Sequence, residues 1–428
     1  ILVFSSIAYQ AKEMPVGSQT TLTVTLSETA QELSQVVVTA LGIRKDERKV
    51  GYAVTKVGGE VLNKARETNV ANSLGGRVAG LSVGGTSGGP GSSARLNIRG
   101  ATSFSGSTTP LIVINGVPMN NATRGTAGEY GGADQGDGFS NINPDDIETM
   151  TVLKGSTASA LYGARAANGV IQITTKSGVK DRISIEYNTN LQFDKAVDNT
   201  DWQYEYGQGR NGIRPSDVSS AVQSGLYSWG ERLDGAPTIA YDGNEYAYSA
   251  VTDNPSRFYR TAPTWTNTVA VSGGGEKGTY RLSLSNLDSK SILRNSGMDR
   301  KTINFSTQQQ LTDKLSFNLM ANYVDQQDQN KPYLSDSPLN ANYSLAFLPT
   351  NTDQAILAPG YNETTGAESV WNDNAFVTNP WFVVNQFKND LSRKRLISAI
   401  SAKYEFTDYL SLMGRVGYDL SSDRIFSV

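Results

Sequence analysis

The stretch "ISIEYNTNLQF", residues 183–193, sorts its side chains by parity. In an extended strand Ile183, Ile185, Tyr187, Thr189, Leu191 and Phe193 fall on one face, and Ser184, Glu186, Asn188, Asn190 and Gln192 on the other. The sorting recurs in "LSFNLMANY", where Leu315, Phe317, Leu319, Ala321 and Tyr323 oppose Ser316, Asn318 and Asn322. It recurs again in "YLSLMGRVGYDL", where Leu410, Leu412, Val416, Tyr418 and Leu420 oppose Ser411, Arg415 and Asp419. The apolar face carries no charge. Seven such strands are predicted, at 183–193, 265–272, 279–287, 301–308, 315–324, 395–406 and 409–420.

Alternation alone also fits the half-buried sheet of a soluble sandwich. The connections discriminate. "SGGGEKG", "LTDK" and "FTDY" are tight, residues 194–264 and 326–394 are very long, and "SKSILRNSGMDR" is intermediate. Short and long strictly alternate, as they do in an outer-membrane barrel with its turns on the periplasmic side and its loops outside. Tyr187, Phe193, Tyr323, Tyr404, Phe406 and Tyr418 near strand ends suit interfacial girdles.

Composition agrees and narrows the chemistry. The mean hydropathy is −0.37, and no apolar run approaches the ~18 residues of a spanning helix, so a helical membrane protein is excluded and a barrel is not. The 42 glycines and 20 tyrosines favour β-structure with many turns. Zero cysteines and zero histidines remove thiolate or imidazole zinc sites, cysteine nucleophiles and Ser-His-Asp triads. An enzyme is not expected, and neither is a cofactor or a metal. A net charge of −3 offers no footprint for nucleic acid.

Ahead of the long strands the pattern differs. "ILVFSSIAY" and "TTLTVTLSE" read as strands at the end of a small sandwich in residues 1–30. Residues 49–181 read as a compact α/β unit, with short strands at "GYAVTKV", "AGLSVGG", "RLNIRG", "TPLIVING" and "GVIQITTK". "GEVLNKARETNVANSL" reads as helical, and "STASALYG" as a short helix capped by Ser156 and stopped by Gly163. Between sandwich and α/β unit, "ELSQVVVTALG" is a β-branched run followed directly by the charged "IRKDERK".

The ordered series "ELSQVVVTALGIRK", "NSLGGRVAGLSV", "LNIRGATSFSGSTTPLIVINGVPM" and "NINPDDIETMTVLKGSTASALYGARAANGVIQITTKSG" resembles the SusC/RagA-like TonB-dependent outer-membrane transporters. The resemblance covers nearly the whole chain. It implies a mainly β fold: a transmembrane antiparallel β-barrel of about 22 strands, an α/β plug domain inside it, and an N-terminal carboxypeptidase-regulatory-like β-sandwich. The expected organisation is the sandwich end at 1–30, TonB box and linker at 31–48, plug at 49–181 and an incomplete barrel at 182–428. The chain is read as a fragment: it begins inside a strand pattern, and seven strands cannot close a barrel of even strand number, so it is expected to continue well past Val428.

By that resemblance Val36, Val37, Val38, Thr39 and Ala40 are the TonB box, a strand without a native neighbour to which TonB adds its own. The other reading is an ordinary strand of the leading sandwich. Arg99 of "IRG" and Glu148 match positions where related transporters lodge charges against the inner barrel wall; the alternative is two solvated surface charges. Arg165, in "GARAANG", is assigned with them, while Gly163, Asn168 and Gly169 of the same stretch are read as turn geometry. Gly100, Asn115, Gly116, Lys154 and Tyr162 complete the plug motif. The chain departs from the family in having Asn115 and Gly155 where acids are usual, which puts a charge role at Asn115 in doubt.

Two other stretches read as loop chemistry. "GGTSGGPGSS" lacks the order of a phosphate-binding loop, and the acids of "GGADQGDGFSNINPDD" miss calcium-loop spacing. The loop stretches "DWQYEYGQGR", "YSWGERLDG" and "YDGNEYAY" are dense in aromatics and acids, which suits sugars or peptides. The expectation is TonB-driven import of an oligosaccharide or oligopeptide across a Gram-negative outer membrane, with outer-membrane lipid around the barrel. A SusD-like surface lipoprotein is expected on the long loops, with a dimer of such pairs. A passive or secretory barrel or adhesin, and a soluble glycan-binding β-protein, are the competing classes.

Overall fold

The computed structural model describes residues 54–64, 66–100, 108–155 and 162–428, together with Val24, Thr25 and four three-residue strands before them. β1 (Leu2–Phe4) pairs antiparallel with β2 (Lys12–Met14), and β3 (Val36–Val38) with β4 (Arg44–Asp46). The strand expected at "TTLTVTLSE" lies outside the described residues except for Val24 and Thr25, which are not in a strand.

The plug follows. β5 (Val54–Gly58) leads into α1 (Gly59–Lys64), and β6 (Leu81–Gly85) and β7 (Ala94–Ile98) form a hairpin. β8 (Leu111–Ile114), β9 (Val117–Met119), β10 (Ile147–Leu153) and β11 (Val170–Thr175) join β5 in a five-stranded sheet of order β5-β10-β11-β8-β9. β10 was not predicted. It is paired on both edges, and Met150 and Val152 are fully buried on one face and Leu153 on the other. A strand covered on both faces loses the alternation that marks a half-exposed one.

The expected helix over 59–74 is also corrected. Among the described residues of that span only α1 and a single 3-10 turn at Asn72–Leu74 form. The Asn69 side chain accepts from Ala71 N at 3.0 Å and donates to Ser92 O at 2.9 Å, so it competes with the helical backbone. Leu62, Leu74, Ile112, Met150, Ile171 and Ile173 close the main core on one face of the sheet. Val113, Leu153, Ala166 and Val170 make a smaller cluster on the other. The helix predicted at "STASALYG" lies outside the described residues up to Leu161.

Seven long strands form one antiparallel sheet in chain order: β12 (Ser184–Asp194), β15 (Ala262–Gly275), β16 (Gly278–Lys290), β17 (Gly297–Gln310), β18 (Leu315–Gln329), β19 (Asn389–Thr407) and β20 (Leu410–Ser427). β13 (Pro237–Ile239) and β14 (Glu245–Ala247) are a small hairpin in the first long loop, with α2 (Val218–Gln223) before it. α3 (Ala341–Ala346) and α4 (Pro380–Gln386) lie in the second. The register sets one row across all seven strands: Tyr187, Val269, Leu284, Ile303, Tyr323, Leu396 and Leu420 are successive cross-strand partners. Six of the seven are exposed and Leu396 is half-buried, which makes an outward apolar belt of the kind lipid requires. No helix among the described residues is long and apolar enough to cross a membrane.

The two long loops fold against each other. Val251 N donates to Thr350 O at 2.8 Å, Asn254 Nδ2 to Thr352 O at 2.7 Å, and the Tyr241 hydroxyl to Ile356 O at 2.8 Å. Phe258, Leu293, Leu345 and Val384 pack under them, with the Trp381 ring edge-on to Phe258 at 5.2 Å.

Candidate functional site

The inward residues of the seven strands meet the plug along residues 120–146. Within the plug this segment is tied down by its own acids. Asp134 accepts from Ser93 N at 2.8 Å, Ser93 Oγ at 2.7 Å, Gly136 N at 2.8 Å and Thr86 Oγ1. Asp137 accepts from Ala94 N at 2.9 Å, Ser140 N at 3.0 Å and Asn69 Nδ2 at 3.0 Å. Burial pushes both carboxyls up; at Asp134 the hydrogen bonds from Ser93, Thr86 and Gly136 outweigh it and hold the group below its ordinary value, and at Asp137 burial wins. These acids therefore organise a loop, as their spacing implied.

The next turn aims charge at the wall. Asn143 caps the 3-10 turn Pro144–Asp146, accepting from Asp145 N at 3.2 Å, with Pro144 at the first position where its missing N–H costs nothing. Asp146 accepts from Arg281 Nη1 of β16 at 2.6 Å. Asp145 accepts from Thr268 Oγ1 at 2.5 Å and Asn188 Nδ2 at 2.9 Å, and pairs with Arg66 of the plug. All four ion-pair partners are nearly inaccessible to solvent.

Three further wall arginines read the plug backbone. Arg300 donates to Thr68 O at 3.2 Å and to Ser140 O. Arg393 donates to Gln135 O at 2.9 Å and closes on Asp423 at 3.0 Å. Arg395 donates to Asn120 O at 2.7 Å, Asn141 Oδ1 at 3.1 Å and Gly138 O at 3.4 Å, and pairs with Asp419 at 2.7 Å. Asp419 accepts in turn from Asn120 N at 2.9 Å, and Asp423 from Arg124 Nη1 at 2.8 Å. The guanidinium fork suits this work, because one planar group satisfies several carbonyls and a carboxylate at once.

The predicted residues sit elsewhere. Arg99, Glu148 and Arg165 are exposed; the ion pairs from residues 120–146 to the seven strands are made by Asp146 and Arg124 instead. Arg99 has φ of 61°, and its guanidinium lies 3.3 Å from where a methyl on Gly155 would stand. Glu148 occupies an irregularity in the pairing of β10 with β11, and Arg165 a 3-10 turn at Ala164–Ala166. Asn115 and Gly116, with φ of 47° and 82°, form the tight β8–β9 turn. Asn115 also accepts from Thr175 N at 3.0 Å and donates to Thr175 Oγ1 at 2.7 Å, a neutral structural role. A methyl on Gly116 would fall 1.8 Å from Arg415 Nη1 of β20.

Gly100, Gly163 and Gly169 all have positive φ; at Gly169 a methyl would meet Ile98 Cδ1 and Leu153 O at 2.8 Å each. Asn168 Nδ2 donates to Thr109 O at 3.5 Å, Lys154 is half-buried at the end of β10, and Tyr162 packs on the Val113 cluster. The expectation of a box strand without a neighbour needs correction: Val36, Val37 and Val38 pair with Asp46, Lys45 and Arg44. That sheet has no third strand among the described residues. Thr39 and Ala40 lie outside them.

Comparison with known proteins follows the same division. Residues 46–170 match the family model of the TonB-dependent receptor plug domain. The TonB-dependent receptor SusC of Bacteroides thetaiotaomicron is 32% identical over 424 residues, 95% of this chain and 38% of that protein. A TonB-dependent receptor of Formosa agariphila is 31% identical over 309 residues, 71% of this chain and 26% of that protein. The RagAB peptide importer in its open-open state superposes with a TM-score of 0.64 at 20% identity, covering 92% of this chain and 43% of that one. The chain thus spans well under half the length of these relatives. A plug domain ahead of antiparallel strands with an outward apolar belt, matched almost end to end by a SusC receptor, places this chain among the SusC/RagA-like TonB-dependent transporters.

Proposed function

We propose that the protein to which this chain belongs imports an oligomeric nutrient, an oligosaccharide first and an oligopeptide second, across the outer membrane of a Gram-negative bacterium. The observation that carries the reading is the character of the plug–wall contact. It is built from guanidinium, carboxylate and backbone groups rather than from apolar packing. Water replaces such bonds when the contact opens, so the plug is held firmly and still exchanges.

Energy would enter at the N-terminal side. Within the box, Val36–Val38 offers an edge of a sheet that has two strands among the described residues, to which TonB would add a strand. Force applied there reaches β5 next. Among the described residues β5 is an edge strand, bonded only to β10, and is the first plug strand that a pull would peel away. The segment 120–146, clamped by four wall arginines, resists.

The folded platform made by the long loops supports a second partner, a SusD-like lipoprotein closing the outer face while the plug loosens, with two such pairs forming a dimer. Copurification from native membranes in mild detergent tests the lid; recovery of the transporter alone removes it. Deleting Val36–Ala40 tests coupling. Uptake is expected to be lost while assembly and substrate binding persist, and normal uptake in the deletion strain sinks the import reading.

A further inference from the structure

The plug does not touch the wall everywhere. Beside the contact of the β8–β9 turn with β20, a cavity of about 200 Å3 lies between β11 and β16–β19, and Met320 and Ala399 of the main core form part of its wall. Glu148, Gln172 and Thr174 line it from the plug, and Ser306, Asn318 and Ser401 from the wall. Gln172 is the unusual member. It sits mid-strand in β11, between Thr151 and Val113, is 1% exposed, and has no hydrogen-bond partner for either amide atom.

A buried amide left unmet costs about 1–3 kcal/mol per group. β11 offers apolar residues at every neighbouring buried position, Val170, Ile171 and Ile173, so the amide stands out against its own strand. Glu148 reaches the same space because the pairing of β10 with β11 shifts register there, a device that re-aims a side chain. The bulge is in turn seated on Gly59, where a methyl would fall 2.0 Å from Ile147 O. The cavity has room for several waters, and its lining is mixed: hydroxyls and amides that both donate and accept, the charged Glu148, Lys176 and Arg415, and the apolar Leu319, Met320 and Ala399. No aromatic ring of the described residues lines it. Charges of both signs beside hydroxyls, amides and apolar side chains match a neutral polyol, whose hydroxyls bond to either sign and whose ring carbons cover the apolar groups.

We propose that this cavity is a plug–wall site for an uncharged, hydroxyl-rich group about the size of one sugar ring, centred on the Gln172 amide. The site rests on the import reading only for how a solute reaches it, and its test does not involve TonB. The chain contains no cysteine, so Ser306→Cys and Ser401→Cys, in full-length protein free of other cysteines, each place a single near-isosteric thiol in the cavity. Purified protein in detergent is treated with methyl methanethiosulfonate, with glucose or glycylglycine as the probe. Both thiols are expected to react, and glucose at twice its dissociation constant slows the reaction about threefold. Glycylglycine leaves the rate unchanged. Gln172→Leu keeps the unprotected rate and abolishes the protection; Thr174→Val, on the same face, replaces it if that variant does not fold. Unreactive thiols, equal protection by the dipeptide, or protection that survives both substitutions overturns the site. Failure here with uptake that is lost on deleting Val36–Ala40 removes the site alone, and uptake unchanged by that deletion with protection intact removes the import reading alone.

Discussion

The same plug meets the same wall in two ways. Along residues 120–146, wall arginines satisfy plug carbonyls and carboxylates, and Arg395 alone bonds three plug oxygens and Asp419. Around Gln172 in β11, plug and wall groups face each other across open space. The difference separates holding from passing. A plug sealed evenly by either kind of contact would be immovable or leaky, whereas a clamp beside a gap fixes where it opens.

The strongest test breaks the clamp and spares the gap. Arg395→Ala strands Asp419 and the Gly138 and Asn120 carbonyls without their donor, and breaking a buried pair of this kind costs about 3–5 kcal/mol. In the full-length protein this is expected to produce frequent channel openings in planar bilayers without TonB, while Gln172→Ala leaves the bilayer as tight as wild type. Equal conductance from both variants would erase the distinction.

A smaller effect is expected where the two regions join. The β8–β9 turn presses its glycine onto β20, and β20 returns the contact: a methyl on Gly417 would fall 2.1 Å from Val117 Cγ1. Gly116→Ala adds a side chain at positive φ directly against Arg415, a strain of about 1–3 kcal/mol. Thermal unfolding of the plug should shift down for Gly116→Ala, and an unchanged melting temperature would show that the turn does not bear on the wall.

How much of this was legible follows from the period of each element. The seven wall strands are half exposed, so their alternation survives in the sequence, whereas the register that lines up Tyr187 to Leu420 appears only in the strand pairing. The strands' outer ends could not be read: Asp390, Ser392 and Lys394 put polar groups on the face that is apolar farther along the strand, and β19 starts six residues earlier than its alternation predicts. β10 is covered on both faces and carries no period at all. The clamp was half legible. "NPDD" announces a capped turn with two adjacent acids, yet Glu148, two residues later, was preferred because a family pattern pointed to it. The matching arginines sit on the strand face that the sequence marks as polar, and a charge recurring on an inward face is the signal that would have found them. Nothing in a sequence reveals that the Gln172 amide lacks a partner, because a partner is a property of the fold.

The smallest expected effect separates two acids that the sequence treats alike. Asp134 and Asp137 sit three residues apart in the clamped segment, and the fold moves them in opposite directions. Asp134, held below the ordinary carboxyl value of about 3.9, stabilises the plug above that pH, and its contribution is lost as pH falls through its folded value. Asp137, pushed up by burial, favours its neutral form when folded. Its contribution is therefore largest below the unfolded value and falls away as pH rises through the folded one. Asp134→Asn should lower plug stability at neutral pH by about 1 kcal/mol and flatten its decline below about pH 4. Asp137→Asn imitates the neutral acid, so its cost at neutral pH should be the smaller, and the acid decline should steepen because an opposing titration is gone. Amide hydrogen exchange across residues 134–146 at two pH values reads both. Parallel pH slopes in the two variants would mean that the turn at Ser93 and the helix-like turn at Ser140 solvate these carboxylates alike, and that only the wall tells the two ends of the segment apart.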